Sequence, residues 1–284
     1  MASPKIWFIT GCSSGFGEEL ALSILKRGDK VIATARNPGK LESIKAAGAD
    51  TFAWDVTAPL DELKKAAAEA HKLYGRFDYL INNAGYSQVG GLEELSPEET
   101  QAQFATNVFG LLNTTRAIVP YMREQRSGVV ANFSSVGAWR GFAGVGLYCA
   151  SKWAVSGLSE TLYYELADFN IKVCTIEPGY FRSKFLNPGN SLKKSNVIPD
   201  YEGTAVRKNE KLMEQYDNNQ PGDIKKGVKV ILDVLTGDSG KEIPMRLVIG
   251  KDAYGMIKAK CEETVQGLDE WKDLTFSTDH DDVQ

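Results

Sequence analysis

Short apolar runs alternate with segments of helical spacing along almost all of this 284-residue chain. Ile6-Trp7-Phe8-Ile9 is one such run. Residues 15–27 follow with apolar positions at Phe16, Leu20, Ile24 and Leu25, the spacing of a helix with one buried face. The pattern predicts further strands over 30–35, 51–55, 78–82, 128–134, 171–177 and 246–249. It predicts helices over 41–46, 60–74, 97–124 and 148–168. Ser96, Pro97 and Glu99 mark the start of the 97–124 helix as N-cap, first-turn proline and capping-box partner. Strands that alternate with helices build a parallel sheet covered on both faces. The expected fold is therefore α/β: one domain over residues 1–284, with a doubly wound parallel sheet of about seven strands. No internal repeat or linker divides it. Residues 183–222 break the pattern, being polar and carrying Pro188, Gly189, Pro199, Gly203, Pro221 and Gly222. An irregular stretch of that length inside a compact domain suggests a lid over a ligand pocket, with short helices of its own. Residues 251–284 form a C-terminal extension.

Composition narrows the function. Apolar residues make up 43% of the chain, enough for a sizeable core. The net charge is −4 and no basic patch stands out, so nucleic acid is not an expected partner. Cys12, Cys149, Cys174 and Cys261 form no C-x-x-C pair and read as reduced thiols of a cytoplasmic protein. No apolar run reaches the length of a membrane span. The two histidines, His71 in an alanine-rich helical run and His280 in an acidic tail, offer no metal site and poor candidates for a base.

Two local patterns carry chemistry. Thr10-Gly11-Cys12-Ser13-Ser14-Gly15-Phe16-Gly17 sits between the first strand and first helix, where glycines admit a close ligand and a helix N-terminus presents N–H groups to a phosphate. The same residues also match G-x-S-x-G, the elbow that carries a nucleophilic serine in α/β-hydrolases. That reading needs a histidine after an acid, and only His71 and His280 exist. The second pattern is Tyr148-Cys149-Ala150-Ser151-Lys152. On a helix, Tyr148 and Lys152 project from one face. An ammonium beside a phenol favours phenolate, and a phenol so tuned exchanges a proton with a reacting oxygen. That chemistry interconverts an alcohol and a carbonyl.

These patterns fall in order with Asn82-Asn83-Ala84-Gly85, Ser135 and Pro178-Gly179. Together they resemble the short-chain dehydrogenase/reductase family over residues 5–185, which implies a Rossmann fold. By that resemblance Gly11, Gly15 and Gly17 cradle a pyrophosphate, with Ser13, Ser14 and Phe16 in the same loop. Asp55 and Val56 meet adenine; without the family, Asp55 is equally a strand-end turn residue. Asn83, Ala84 and Gly85 stabilise the sheet and line the adenosine side. Pro178 and Gly179 turn beside the nicotinamide, with Phe181 and Ser183 at the carboxamide. Ser183 stands where the family more often has threonine. The resemblance makes Tyr148 the acid/base. Lys152 lowers its pKa and holds the nicotinamide ribose. Ser135, thirteen residues before Tyr148, holds the substrate oxygen. Asn107 fixes a water in a proton relay; the plain alternative is a satisfied polar residue within a helix.

In members that use NAD, an acid at the end of the second strand binds the ribose 2′-OH. Here that position is Ala35, followed by Arg36, and a guanidinium favours a 2′-phosphate. The expectation is NADP(H). Trp139, Phe142, Val145, Leu147, Phe185 and Leu186 suggest an apolar substrate wall, with Arg140 and Arg182 nearby. A lipophilic ketone, aldehyde or secondary alcohol fits: steroid-, retinoid-, polyketide- or terpenoid-like. The alternatives are a non-catalytic NADP(H)-binding sensor or scaffold, and an epimerase or dehydratase on the same scaffold. The family resemblance also implies a homodimer or homotetramer built through the helices around 97–124 and 148–168.

Overall fold

A computed structural model describes residues 3–187 and 191–280 of the chain. Pro188 and Gly189 of the irregular stretch and Asp281 and Asp282 of the tail lie outside the described residues. The seven expected strands all form. They are β1 (Ile6–Ile9), β2 (Lys30–Ala35), β3 (Asp50–Ala53), β4 (Tyr79–Asn82), β6 (Gly128–Phe133), β7 (Ile171–Pro178) and β9 (Arg246–Ile249). They pair in the order β3-β2-β1-β4-β6-β7-β9, every pair parallel.

Side chains alternate across the sheet, so each strand feeds two cores. Trp7 and Ile9 of β1 pack with α1 (Gly15–Lys26), α2 (Glu42–Ala46) and α8 (Ile224–Leu235) through Leu20, Ile24, Ile44, Ile231 and Leu232. Ile6 and Phe8 point the other way. They meet α3 (Leu60–Tyr74), α5 (Leu111–Gln125) and α6 (Gly146–Glu165) through Leu63, Ala67, Ile118, Met122 and Leu162. His71 belongs to this packing, stacked on Tyr121 with ring centres 4.3 Å apart.

Three features differ from the sequence pattern. The 97–124 segment is not one regular helix. It divides into α4 (Pro97–Phe104), a π-helical turn (Ala105–Gly110) and α5. Such turns interrupt the regular ladder at functional sites, and Asn107 lies inside this one. The crossover helix α8 follows the irregular stretch, with its N-cap Asp223 accepting from the N–H groups of Lys225 and Lys226. The irregular stretch also holds more than short helices. Its β8 (Ser191–Lys193) pairs in parallel with β5 (Ser87–Val89), and α7 (Ala205–Tyr216) follows.

A buried ion cluster pins this roof to the body. The carboxylate of Glu94, fully buried, accepts from both Arg207 terminal nitrogens of α7 and from the backbone N–H groups of Gly91 and Ile198, each 2.9 Å away. Lys194 lies 3.7 Å from Glu94 and also donates to Glu210 at 2.5 Å. The Arg207 guanidinium holds the Glu94 carboxyl down at about 2, against an ordinary value of 4.5. A carboxylate with a depressed folded pKa stabilises above its unfolded value and loses that contribution as pH falls towards the folded one. Arg207→Met should therefore raise the rate of proteolytic cleavage within residues 194–216 by about tenfold or more at pH 7. Wild-type protection should fade as pH drops from 4.5 towards 2. Unchanged cleavage in the variant would show that the cluster does not hold the roof.

Candidate active site

A cavity of about 660 Å3 opens where strand order reverses between β1 and β4, at the carboxyl ends of the strands. Ligands of doubly wound folds bind at this crevice. The glycine loop forms one end of it. Gly11 has φ +71°, and a Cβ there would lie 2.8 Å from the Ala84 Cα. A Cβ on Gly17 would strike the Gly11 carbonyl and the Asn83 amide. The Asn83 side chain donates to the carbonyls of Thr10 and Gly11, both at 3.0 Å. The N–H groups of Asn83 and Ala84 donate to Thr10 Oγ1 at 3.0 and 3.1 Å. Ser14 is the N-cap of α1 without capping it through its side chain. The first-turn N–H groups are thus left to an incoming anion.

Ser13, Ser14, Gly15, Phe16, Ala35, Arg36, Asp55, Val56, Asn83, Ala84 and Gly85 line this end. Gly17 lies behind the loop and shapes it. Arg36 is exposed and, among the described residues, pairs with no carboxylate. Asp55 closes a turn, its Oδ1 accepting from the Thr57 N–H at 2.9 Å and hydroxyl at 2.7 Å. The turn reading of Asp55 and a place on the cavity wall are both met.

The middle of the cavity gathers Ser135, Tyr148 and Lys152. Ser135 follows β6, and its Oγ accepts from the Gly137 N–H at 3.0 Å, which leaves its proton available. Its neighbour Ser134 is bound structurally, to the Lys152 carbonyl at 3.1 Å and Ser156 Oγ at 2.8 Å. Tyr148 and Lys152 sit one turn apart on α6. Lys152, 5% exposed, donates to the Phe133 carbonyl at 2.7 Å. Gly85 makes room for it, since a Cβ there would lie 3.6 Å from Lys152 Nζ and 3.2 Å from Asn107 Oδ1.

Burial pushes the Tyr148 phenol well above its ordinary value, and the facing Ser135 hydroxyl draws it only partly back. The Lys152 ammonium lies 5.7 Å from the ring centre and turns to Phe133. Burial lowers Lys152 itself to about 8. The Asn107 side chain is fully engaged by protein groups. Its amide donates to the Tyr86 carbonyl at 2.9 Å and Ser151 Oγ at 3.0 Å, and Oδ1 accepts from the Tyr86 N–H at 3.1 Å. Asn107 clamps the loop after β4 to α6.

At the end of β7, Pro178 and Gly179 line the cavity, and the Asp252 carboxylate presses on Gly179 while accepting from the Tyr180 N–H at 2.7 Å. Phe181 packs on Phe16 with ring centres 5.1 Å apart. Ser183 Oγ accepts from the Phe185 N–H at 3.3 Å. Phe142, Val145, Phe185 and Leu186 form the apolar wall as expected, whereas Trp139, Leu147, Arg140 and Arg182 do not line the cavity. Trp139 turns beneath the β6 loop and donates to Glu177 Oε2 at 2.7 Å. Arg182 donates to the Gln220 carbonyl at 3.3 Å. Leu192 and Met213 join the wall from the stretch expected to cover the pocket, whereas sequence reasoning missed Cys149 on the wall and the buried Glu177 below it. Glu177 carried a signal, a carboxylate directly after Ile176 in a strand whose inner positions are mostly apolar.

With this geometry the chain belongs to the short-chain dehydrogenase family, whose model matches residues 5–193. It is 35% identical over 279 residues to oxidoreductase BOA17 of Botryotinia fuckeliana, covering 96% of this chain and 99% of that protein. It is 37% identical over 220 residues to 3-ketodihydrosphingosine reductase of Bacteroides thetaiotaomicron, covering 76% of this chain and 78% of that one. The crystal structure of a short-chain dehydrogenase from Streptomyces avermitilis superposes with a TM-score of 0.87 at 37% identity, covering 98% of this chain and all of that one. Among the described residues no helix is long and apolar enough to cross a membrane.

The lowered Lys152 pKa has a stability signature. The folded state binds fewer protons than the unfolded chain between pH 8 and 10.5, so stability rises with pH across that window. Relative to Lys152→Met, wild type should gain on the order of 3 kcal/mol between pH 7.5 and 10.5, read from urea midpoints. Parallel pH profiles for the two proteins would show that Lys152 is not desolvated.

Proposed function

We propose that this protein is an NADP(H)-dependent oxidoreductase that reduces a lipophilic ketone or aldehyde to its alcohol. The carrying observation is that the Ser135 and Tyr148 hydroxyls and the Lys152 ammonium meet in one cavity. A phosphate cradle closes one end and apolar roof residues the other. The bound nucleotide would supply the hydride. Gly11, Ser13, Ser14, Gly15 and the α1 N-terminus would hold its pyrophosphate. Arg36 would hold a 2′-phosphate, with Asp55 and Val56 at adenine, Asn83, Ala84 and Gly85 along the adenosine, and Pro178, Gly179, Phe181 and Ser183 at the carboxamide. Ser135 donates to the substrate oxygen and stabilises the charge that develops on it. Tyr148, held protonated by burial, gives that oxygen its proton, which suits reduction. Lys152 fixes the ribose and, once a ligand draws it from Phe133, carries the positive charge that eases Tyr148 towards phenolate. Asn107 keeps α6 and the β4 loop in register. Residues 183–222 act as the substrate lid. A second reading, a sensor without turnover, lacks an observation in its favour. A cytoplasmic homo-oligomer built through the faces of α5 and α6 completes the proposal.

Purified protein should oxidise NADPH with lipophilic carbonyls and favour it over NADH. Arg36→Ala should raise the NADPH dissociation constant about 10- to 100-fold with little effect on NADH. A wild-type preference for NADH would overturn the cofactor assignment. Tyr148→Phe should lower kcat by about 1,000-fold with nucleotide affinity retained. Ser135→Ala should cost about 100-fold, whereas Ser134→Ala should mainly reduce stability. Normal turnover of Tyr148→Phe would remove the acid from the mechanism.

A further inference from the structure

The roof brings a buried polar side chain to the cavity wall. Gln220 stands between α7 and α8 and lines the cavity together with Leu192 and Met213. It is 2% exposed, and its Oε1 has no hydrogen-bond partner among the described residues. A buried amide left unpaired costs free energy that packing does not return. Five buried side-chain atoms among the described residues lack a partner, and two of them, Gln220 Oε1 and Ser87 Oγ, belong to residues of the cavity wall.

The backbone around Gln220 is fastened. Its carbonyl accepts from the Arg182 side chain at 3.3 Å. Two residues on, the Gly222 N–H donates to the Tyr180 carbonyl at 3.0 Å, and the Gly222 carbonyl accepts from the Arg182 N–H at 2.9 Å. A Cβ on Gly222 would lie 2.7 Å from the Phe181 ring, so the two segments meet closely. The roof is thereby tied to the loop after β7, which carries Gly179 and Tyr180 along the same cavity. The last torsion of a glutamine side chain is broad, so a fixed backbone still lets the amide turn its oxygen or its nitrogen to a ligand. We propose that Gln220 determines specificity by binding a hydroxyl group of the substrate, remote from the carbonyl that is reduced. This rests on the carbonyl-reducing function proposed above and narrows its substrate to a neutral, lipophilic hydroxy ketone or hydroxy aldehyde.

The chemistry of the wall selects a hydroxyl. Among the described residues, the charged ones on the cavity wall are Arg36, Asp55 and Lys152. Arg36 and Asp55 belong to the glycine-loop end and Lys152 to the group around Tyr148, so a substrate carboxylate or phosphate would find no counter-charge beside Gln220. Arg182 does not line the cavity and is turned to the Gln220 carbonyl. The roof and wall around it are apolar through Phe142, Phe185, Leu186, Leu192 and Met213, which suits a body of hydrocarbon. An amide both donates and accepts, and a hydroxyl answers either end. A site with a buried polar group rejects the analogue that leaves this group unpaired, whereas apolar contact alone discriminates weakly. One glutamine in an apolar roof can therefore separate substrates of similar size.

Walking a hydroxyl along the substrate tests this. Medium-chain methyl ketones, each carrying one hydroxyl at a successive carbon, are compared with the plain ketone under NADPH. At one hydroxyl position wild type should gain about 10-fold in kcat/KM, chiefly through KM. In Gln220→Leu the ratio of hydroxy ketone to plain ketone should fall to about one. Gln220→Glu keeps an acceptor and should keep part of the preference, with circular dichroism confirming that both variants fold. The proposal fails if no hydroxyl position is preferred, or if the preference survives Gln220→Leu and is lost in Ser87→Ala instead. It also fails if Gln220→Leu weakens NADPH binding, which would put the amide on the nucleotide. If wild type reduces none of these ketones, the carbonyl-reducing function fails, and calorimetry of the same series on the NADPH complex decides the role of Gln220. A hydroxyl-specific gain in affinity that Gln220→Leu removes supports it, and equal affinities along the series overturn it.

Discussion

The site depends on a close approach of two backbones at the point where the sheet changes direction. The chain leaving β1 and the chain leaving β4 pass so near each other that neither Gly11 nor Gly17 can carry a Cβ. Asn83 makes the approach stable by taking two carbonyls of the glycine loop, and Thr10 by taking two N–H groups in return. Every backbone group so paired is one that burial would otherwise leave unsatisfied. With the loop fixed, the α1 N-terminus points at the crevice, and the β4 loop is drawn to where Gly85 admits Lys152 and Asn107. The glycine loop and the group of Ser135, Tyr148 and Lys152 are thus two ends of one junction.

A second layer holds the chemistry from below. Glu177, fully buried, accepts from Thr175, Ser156, Trp139 and Arg246. Ser156 passes the connection to Ser134, and Ser134 to the Lys152 carbonyl. A buried carboxylate is tolerable only when its lone pairs are satisfied to this degree. The result fixes the loop that presents Ser135 relative to the helix that presents Tyr148. The distance between those hydroxyls is therefore set in part by Glu177 and Ser156, which lie beneath the cavity wall.

How much of this the sequence disclosed follows from the range of each interaction. Strand runs, the glycine loop and the Tyr148–Lys152 spacing are local patterns, and the fold and the gathering of Ser135, Tyr148 and Lys152 in one cavity were legible from them. The π turn at Ala105–Gly110 was not, because its residues have ordinary helix propensities and the turn follows from how Asn107 is clamped to Tyr86 and Ser151. Trp139 read as a wall residue because it lies near Ser135 in sequence. Its indole N–H needed a buried acceptor, and Glu177, across the sheet, supplied one. The desolvation of the Tyr148 phenol was not legible for a related reason. Spacing placed an ammonium near the phenol, but a pKa depends on desolvation as well as distance, and burial is a property of the packed whole.

The irregular stretch carries this point furthest. Its polarity and its prolines suggested a lid with short helices of its own, and its charges serve as a fastening. Glu94 lies after β5, while Arg207 and Glu210 lie on α7, more than a hundred residues later. Glu94 and Arg207 are far apart in sequence, and each alone reads as a surface charge. Brought together by the β5–β8 pairing, they are buried as a set, and a buried set of opposite charges tolerates few geometries. Such a cluster contributes less to net stability than to uniqueness. It selects one position for α7, and with it one position for Met213 and Leu192 over the cavity. The apolar residues over the cavity are therefore placed by ions that lie away from it.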